Sequence, residues 1–373
     1  MSAKYLRRYL SAAHLYLGLV LGGAFALLGV TGSLLVFYPE LDRFLNPELR
    51  ISSRPLPELN VQHMFERLHE AFPQRQGVWR LELPRASGQA VFARYVTPEE
   101  KSPELFAPLV VALDPATGTV INSRFWGDYA VTWVYNLHYS LLSGKTGTVL
   151  VSLLGIAFLI SVCIGFYIWL PRGRNRLTKA LPKIRSGSRK AVYDLHGYFG
   201  AYAFGLLLLL IITGVGLATP QWLEPFVYCI SSKTPDFKVE SIVPLGAAFR
   251  IDANQAIAVS LNKFSGSQVR WIEAPSTAEG VYVVRLKQAG EPSDRFPKTY
   301  VRVDQFSSQV LSVRDALKVS AGDVFFDWLH PLHNGEALGL WGRWLVFILG
   351  LVPGFLWCTG LIRWRHKIIA KNR

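Results

Sequence analysis

Four long stretches without a single Asp, Glu, Lys or Arg decide what this chain can become. No charge occurs between Arg8 and Glu40, from Thr146 to Pro171, across Leu195–Leu223, or across Trp344–Ile362. Each supplies roughly twenty apolar residues, enough for a helix to cross a hydrocarbon layer about 30 Å thick. Half of the 373 residues are hydrophobic, which fits the same class. The pattern predicts an α-helical membrane protein in a lipid bilayer, with four transmembrane helices near His14–Phe37, Thr148–Leu170, Tyr198–Thr219 and Trp341–Ile362.

A net charge of +14 invites a nucleic-acid reading, and its distribution excludes it. The basic residues gather at Lys4, Arg7 and Arg8, then from Arg172 to Lys190, then from Arg363 to Arg373. The long segments 39–146 and 219–340 are nearly balanced. This is the positive-inside pattern, with both termini and the middle loop cytoplasmic and the two long segments outside. A multi-pass protein of a bacterial inner membrane is expected. The start resembles a signal peptide, but its apolar run is too long, so the first helix is expected to stay uncleaved. Cys163 and Cys358 fall inside helices and Cys229 stands alone outside, which leaves no intrachain disulfide framework.

The chain also repeats itself. Gly127-Asp128, Trp133, Leu137-His138, Gly144, Gly147, Cys163 and Gly165 return as Gly322-Asp323, Trp328, Leu332-His333, Gly339, Gly342, Cys358 and Gly360. Arg7-Arg8, His14, Tyr16, Gly18 and Thr31-Gly32 return as Arg189-Lys190, His196, Tyr198, Gly200 and Thr213-Gly214. Two tandem repeats, each helix, external domain, helix, account for both registers. The expected order is a first helix in 1–38, external domain 39–146, second helix 147–171 and a basic loop 172–194. A third helix in 195–219, external domain 220–340, fourth helix 341–363 and basic tail 364–373 follow.

Each external segment reads as α+β. In the first, Val61–Phe72 carries a helical stripe, Trp79–Leu83, Val91–Val96 and Leu109–Leu113 read as strands, and the turn 114–118 leads into Val120-Ile121. In the second, Ala253–Phe264 is helical and Val269–Ile272, Val281–Leu286, Tyr300–Val303 and Val310–Val313 are strands. One helix on a small antiparallel sheet is expected per half.

The histidines carry the chemistry. His63, His69 and His366 read as solvated surface residues. His14 and His196 sit at the cytoplasmic mouths of helices one and three, His138 and His333 at the outer mouths of helices two and four. An imidazole near lipid depth is costly without a partner, and four at matched positions point to ligation rather than to headgroup contacts. Zinc wants more ligands at short spacing. Haem needs two axial groups on opposite faces, which two helices provide, and without a Cys-x-x-Cys-His motif it is held non-covalently. The expectation is two bis-histidine haem b groups, held by His14 with His196 and by His138 with His333. Gly18, Gly200, Gly144, Gly147, Gly339 and Gly342 either make room for a porphyrin or pack helices closely. Arg7, Arg8, Arg189 and Lys190 either meet propionates or only set topology. His330 rivals His333, but its repeat counterpart is Tyr135, which favours His333 as ligand and leaves His330 for a propionate or substrate. Trp133 and Trp328 flank a cofactor or, slightly favoured, anchor an aromatic belt. Asp128 and Asp323 are expected to cap helices.

Arg7-Arg8 through His14-x-x-x-Gly18, Leu137-His138 with Gly144 and Gly147, Asp194-Leu195-His196 with Gly200, and Pro331-Leu332-His333 together resemble the PepSY-associated transmembrane family. The external segments look like PepSY domains, with Asp114-Pro115-Ala116-Thr117-Gly118 the clearest trace; the second retains only Val303-Asp304 of that turn. Members include inner-membrane ferrisiderophore reductases of the FoxB type, which look like dihaem b-type proteins. The resemblance implies an oxidoreductase that takes electrons from a cytoplasmic or membrane donor and reduces an external ferric siderophore. A second class is a non-enzymatic membrane protein whose PepSY-like domains bind a peptide or protein. No catalytic triad and no Gly-rich nucleotide signature occurs, so a flavin or nicotinamide donor would reside on a partner.

Overall fold

A computed structural model describes residues 3–51, 59–86, 88–102, 104, 106–170, 184–246 and 249–372. Most of the basic loop expected over 172–194 lies outside them. The helices, in chain order, are α1 (Ala3–Val20), α2 (Gly22–Val36), α3 (Tyr38–Leu45), α4 (Val61–Ala71), α5 (Ala130–Ser140) and α6 (Gly144–Trp169). They continue with α7 (Ser188–Tyr202), α8 (Phe204–Ala218), α9 (Pro220–Tyr228), α10 (Ala253–Lys263), α11 (Ala321–His333) and α12 (Gly339–Lys371). The chain divides into a helical unit, residues 1–37, 134–224 and 329–373, and a sheet unit, residues 38–133 and 225–328.

In the helical unit, Gly144–Trp169 and Glu336–Lys371 are continuous helices long and apolar enough to cross a membrane. The other two expected spans are each broken. Residues Lys4–Val20 and Gly22–Val36 meet at 60°, and Arg189–Tyr202 and Phe204–Ala218 at 58°. The bends fall at Leu21 and Ala203, each followed within two residues by glycine, a common seat of helix kinks. Backbone hydrogen bonds carry across both, as from Phe25 to Leu21 and from Leu207 to Ala203. Packing between spans uses bare backbone. A Cβ at Gly29 would clash with the Gly350 carbonyl, and Ser33 donates to the Phe347 carbonyl at 2.7 Å.

The glycines after the outer-mouth histidines shape the turns that lead into α6 and α12. Gly144 and Gly339 open α6 and α12 at φ +54° and +60°, where an L side chain is strained. Gly147 and Gly342 sit hard against the Ser140 and Gly335 carbonyls of the preceding turn, whereas nothing lies within 4 Å of the Cβ position at Gly144 or Gly339, so close backbone packing is observed at two of these four.

The strands are β1 (Trp79–Glu82), β2 (Val91–Tyr95), β3 (Leu109–Leu113), β4 (Val120–Phe125), β5 (Gln268–Glu273), β6 (Val281–Lys287), β7 (Thr299–Asp304) and β8 (Val310–Arg314). Every strand expected from alternation is present. Instead of two separate sheets they form one, in the order β4-β3-β2-β1-β5-β6-β7-β8. The seam pairs β1 antiparallel with β5, Leu81 opposite Ile272. The physical reason is edge pairing: β1 and β5 each end a four-stranded sheet with unpaired backbone groups, and joining them satisfies both edges.

One face of the sheet carries Leu81, Val91, Val111, Ile272, Val284 and Val301, buried against Met64, Leu68 and Ala256 of α4 and α10. Those helices are capped by Asn60 and by an Asp252–Gln255 capping box. They are also tied reciprocally, Val61 N to Asn254 Oδ1 at 2.9 Å and Ala253 N to Gln62 Oε1 at 3.1 Å. The opposite face alternates charge and aromatic side chains.

Neither aspartate expected as a cap is one. Asp128 pairs with Lys101 at 2.8 Å. Asp323 lies inside α11 and accepts from Tyr228 Oη at 2.8 Å and Thr234 N at 2.9 Å; Ser320 accepts from the Asp323 amide and does the capping. Both carboxylates found stronger donors through tertiary contacts than a local helix end offers.

Candidate functional site

The four histidines expected as ligands come together as two pairs within the helical unit. His14 on α1 and His196 on α7 have ring centroids 6.3 Å apart at an interplanar angle of 75°. His138 on α5 and His333 on α11 stand 6.2 Å apart at 41°. A first-row metal binds an imidazole nitrogen at about 2.0–2.1 Å, and that nitrogen lies about 1.1 Å from its ring centre. Two imidazoles on opposite sides of one ion therefore have centroids about 6.3 Å apart. Both pairs meet that spacing. Among the described residues no group of three or more His, Cys, Asp and Glu gathers to hold an ion, so each site presents a facing pair of imidazoles.

The hydrogen bonds fix which nitrogen is offered. His14 Nδ1 faces the Ser161 carbonyl at 2.9 Å and His333 Nδ1 the Leu210 carbonyl at 3.0 Å; a carbonyl only accepts, so both Nδ1 atoms carry the proton. His138 Nδ1 lies 3.0 Å from Thr31 Oγ1, and His196 Nδ1 lies 2.9 Å from Thr359 Oγ1. Those hydroxyls spend their own protons on the Leu27 and Phe355 carbonyls, each at 2.8 Å, and so accept from the rings. Thr213 supports His333 likewise at 3.1 Å. All four rings are held in one tautomer with the Nε2 lone pair free, the arrangement that supports metal-ligating histidines.

Glycines seat the rings. An added Cβ at Gly165 would lie 2.8 Å from His14 Cε1, at Gly32 2.9 Å from His138 Cε1, and at Gly214 2.9 Å from His333 Cε1. At Gly360 the corresponding distance to His196 is 3.5 Å. Thr31-Gly32, Thr213-Gly214 and Thr359-Gly360 thus each combine a hydroxyl for Nδ1 with bare backbone against the ring.

Depth separates the pairs. Ser33, next to the glycine against His138, bonds to Phe347, while Gly360 of the same helix abuts His196. At 1.5 Å per residue those levels of α12 lie on the order of 20 Å apart, a large part of the hydrocarbon thickness.

Around His14 and His196 lies a cavity of about 780 Å³, within the range of cofactor sites. Arg7, Arg189 and Arg363 line it, with Gly18 and Gly200; nothing lies within 4 Å of the Cβ position at Gly18. Trp357 also lines it, and its buried Nε1–H has no acceptor. The Arg363 guanidinium lies over the Tyr193 ring at 4.2 Å, and among the described residues no carboxylate lies within ion-pair distance of it. Two facing imidazoles, an unanswered donor and, among the described residues, an arginine without a carboxylate partner fit a flat, carboxylate-bearing macrocycle.

The remaining expected residues are spread out. Arg8 and Lys190 are exposed and do not line the cavity. His366, expected as a solvated tail residue, does line it. His330 Nδ1 meets Asn334 Nδ2 at 3.3 Å. Accepting that bond puts the proton on Nε2, the opposite tautomer to the four ring-paired histidines, and His333 is the ring opposite His138. Trp133 and Trp328 are exposed and belong to the sheet unit's residues. Sequence reasoning missed Thr359, Ser161, Trp357 and Arg363 as site residues. The repeated Thr-Gly pairs were the available signal for the hydroxyl partners; nothing in the sequence marked Ser161.

Thr31→Val and Thr213→Val keep shape and remove the acceptor. Under a haem-ligand role for these rings, each is expected to weaken haem uptake at the His138–His333 pair by about 10- to 100-fold, read by haem titration of the purified protein, with the other pair unaffected.

The family model for the PepSY-associated TM region matches residues 11–367. An uncharacterized protein of Pseudomonas aeruginosa is 25% identical over 256 residues, which cover 64% of this chain and 64% of that relative.

Proposed function

The chain belongs to the PepSY-associated TM family of membrane proteins, and on that premise we propose that it carries electrons across a bacterial inner membrane to an external ferric siderophore. The observation that supports this reading best is the geometry of the two histidine pairs: centroid spacings of 6.3 and 6.2 Å, one tautomer throughout, and levels on the order of 20 Å apart along α12.

His14 and His196 would hold one haem b and His138 and His333 the other, each non-covalently through Nε2. Bound haem supplies reversible one-electron chemistry at iron, which the protein tunes through axial ligands, hydrogen bonds and burial. Thr31, Thr213, Thr359 and the Ser161 carbonyl keep the four rings oriented and basic. Arg363, Arg7, Arg189 and the Trp357 N–H would receive the carboxylates of the group in the larger cavity. By the positive-inside rule the basic clusters, and that cavity with them, would face the cytoplasm, so the donor would deliver there and the His138–His333 pair would serve the acceptor. One electron converts Fe(III) to Fe(II), which hard oxygen chelators bind more weakly, so the metal is released without hydrolysis of the chelator.

Purified protein tests this directly. The expected preparation is red, with a Soret band, a bis-imidazole spectrum and two haems per chain, and it transfers electrons to ferric siderophores when reduced. A folded, colourless protein that takes up no haem on reconstitution would discard the proposal and favour partner binding by the sheet unit.

A further inference from the structure

On the sheet face opposite α4 and α10, charged and aromatic side chains alternate across the middle strands. Arg80 of β1 lies over the Trp271 ring of β5 at 5.0 Å. Arg285 of β6 lies over the same ring at 5.2 Å and over Tyr300 of β7 at 5.9 Å. Arg302 lies over Tyr300 at 4.7 Å. Because β6 runs between β5 and β7, Trp271 and Tyr300 flank Arg285 from its two neighbours, Trp271 and Tyr300 being its direct register partners.

The flanking cations all have counter-charges. Arg80 bonds to Glu273 at 2.7 Å, Arg94 to Glu82 at 3.2 Å, and Arg302 to Asp236 at 2.7 Å. Arg314 pairs with Asp327 at 2.8 Å. Arg285 is different. It is half-buried, no carboxylate lies within ion-pair distance among the described residues, and its buried Nε–H has no acceptor. The Nε1–H of Trp271 beside it is unanswered as well. Burial, with the adjacent Arg80 charge, holds the Arg285 pKa below the ordinary guanidinium value, and the Glu273 carboxylate, bonded to Arg80, offsets this only in part.

Aromatic rings on either side of a guanidinium stabilise the cation and limit its swing, while its N–H donors, all in its plane, stay available at the edge. A fork of parallel N–H groups matches a carboxylate or similar oxyanion bidentately. Buried donors without acceptors are rare in folded proteins, and an unseen ion is one of the standard reasons for them. We infer that Arg285, held between Trp271 and Tyr300, is the anchor of a binding site for a carboxylate-bearing ligand on the sheet unit. The site belongs to the sheet unit and the histidine pairs to the helical unit, and it does not depend on what they hold.

Full-length protein in detergent is titrated with citrate, and separately with succinate and phosphate, by calorimetry at constant ionic strength set with chloride. Citrate is expected to bind saturably and to raise the Tm. Arg285→Met should weaken binding at least tenfold and abolish the Tm shift, yet melt no lower than the parent without ligand, because it removes a half-buried charge with no carboxylate bonded to it among the described residues. Arg285→Lys should lose most of the affinity too, since an ammonium cannot fork. A preference for phosphate over the carboxylates would reassign the ligand and overturn the carboxylate assignment. So would undiminished citrate affinity in Arg285→Met, or no saturable binding of any probe below about 10 mM. The titration is read on protein with or without haem, so its failure and that of the electron-transfer reading are separate results.

Discussion

On the proposed function, His333→Ala protein is expected to carry one haem per chain and the parent two. The missing group is the one between His138 and His333, whose rings stand 6.2 Å apart with no third candidate ligand gathered beside them among the described residues. His330, one turn earlier on α11, cannot replace it without giving up the Asn334 contact and switching tautomer. The His14–His196 pair should keep its spectrum, since its ligands lie on α1 and α7 and its supports on α6 and α12. Pyridine-haemochrome stoichiometry reads the count and low-temperature absorbance resolves which centre is gone. Electron delivery to an external ferric chelate should be lost with it, because on that reading both haems are needed to complete the path. Two haems in His333→Ala, or none, would refute the pairing.

The second large effect comes from single methyl groups. Gly32→Ala and Gly214→Ala each place a Cβ 2.9 Å from a histidine Cε1, and Gly165→Ala places one at 2.8 Å. Carbon atoms do not approach so closely, so the ring must leave its position, and with it the Nε2 geometry. Overpacking of this kind typically costs about 1–3 kcal/mol. At a ligand site the loss appears as haem dissociation. Gly360→Ala is the built-in control: its Cβ would stand 3.5 Å from His196, an ordinary contact, and the variant should bind both haems. The three sensitive variants should release one haem on gel filtration while retaining helical circular dichroism. Equal behaviour of all four alanine variants would show that ring seating is not what these glycines do.

Much of this was legible because hydrophobic periodicity and repetition act locally. The alternation in Val281–Lys287 and the stripe in Val61–Ala71 specify a strand and a helix wherever they pack. The histidines stood out because each carried the same neighbours twice. What the sequence could not express was pairing across distance. Leu81 and Ile272 look like ordinary interior strand residues, and nothing in either segment says that their strands are partners. The bends at Leu21 and Ala203 were hidden by uniform apolarity, since a window that counts charges cannot see a change of direction. Asp128 and Asp323 resembled caps because local rules assign them the nearest helix end, whereas Lys101 and Tyr228 reach them through the fold. Arg363 was read only as a topology signal, because its place over Tyr193 depends on how α12 meets α7.

The seam between β1 and β5 also sets a timetable for biogenesis. Residues 79–82 leave the ribosome long before residues 268–273 do, and translation at about 5–20 residues per second puts the interval on the order of ten to forty seconds. During that time the first half can form β1 to β4 but not close its β1 edge, a row of unpaired backbone groups that can template pairing with another chain. The nascent protein must therefore shelter an open edge until its second half is inserted, and two molecules translated side by side on one messenger would present each other with the same complementary strands. Exchange of halves between neighbouring copies is the characteristic error such a seam invites.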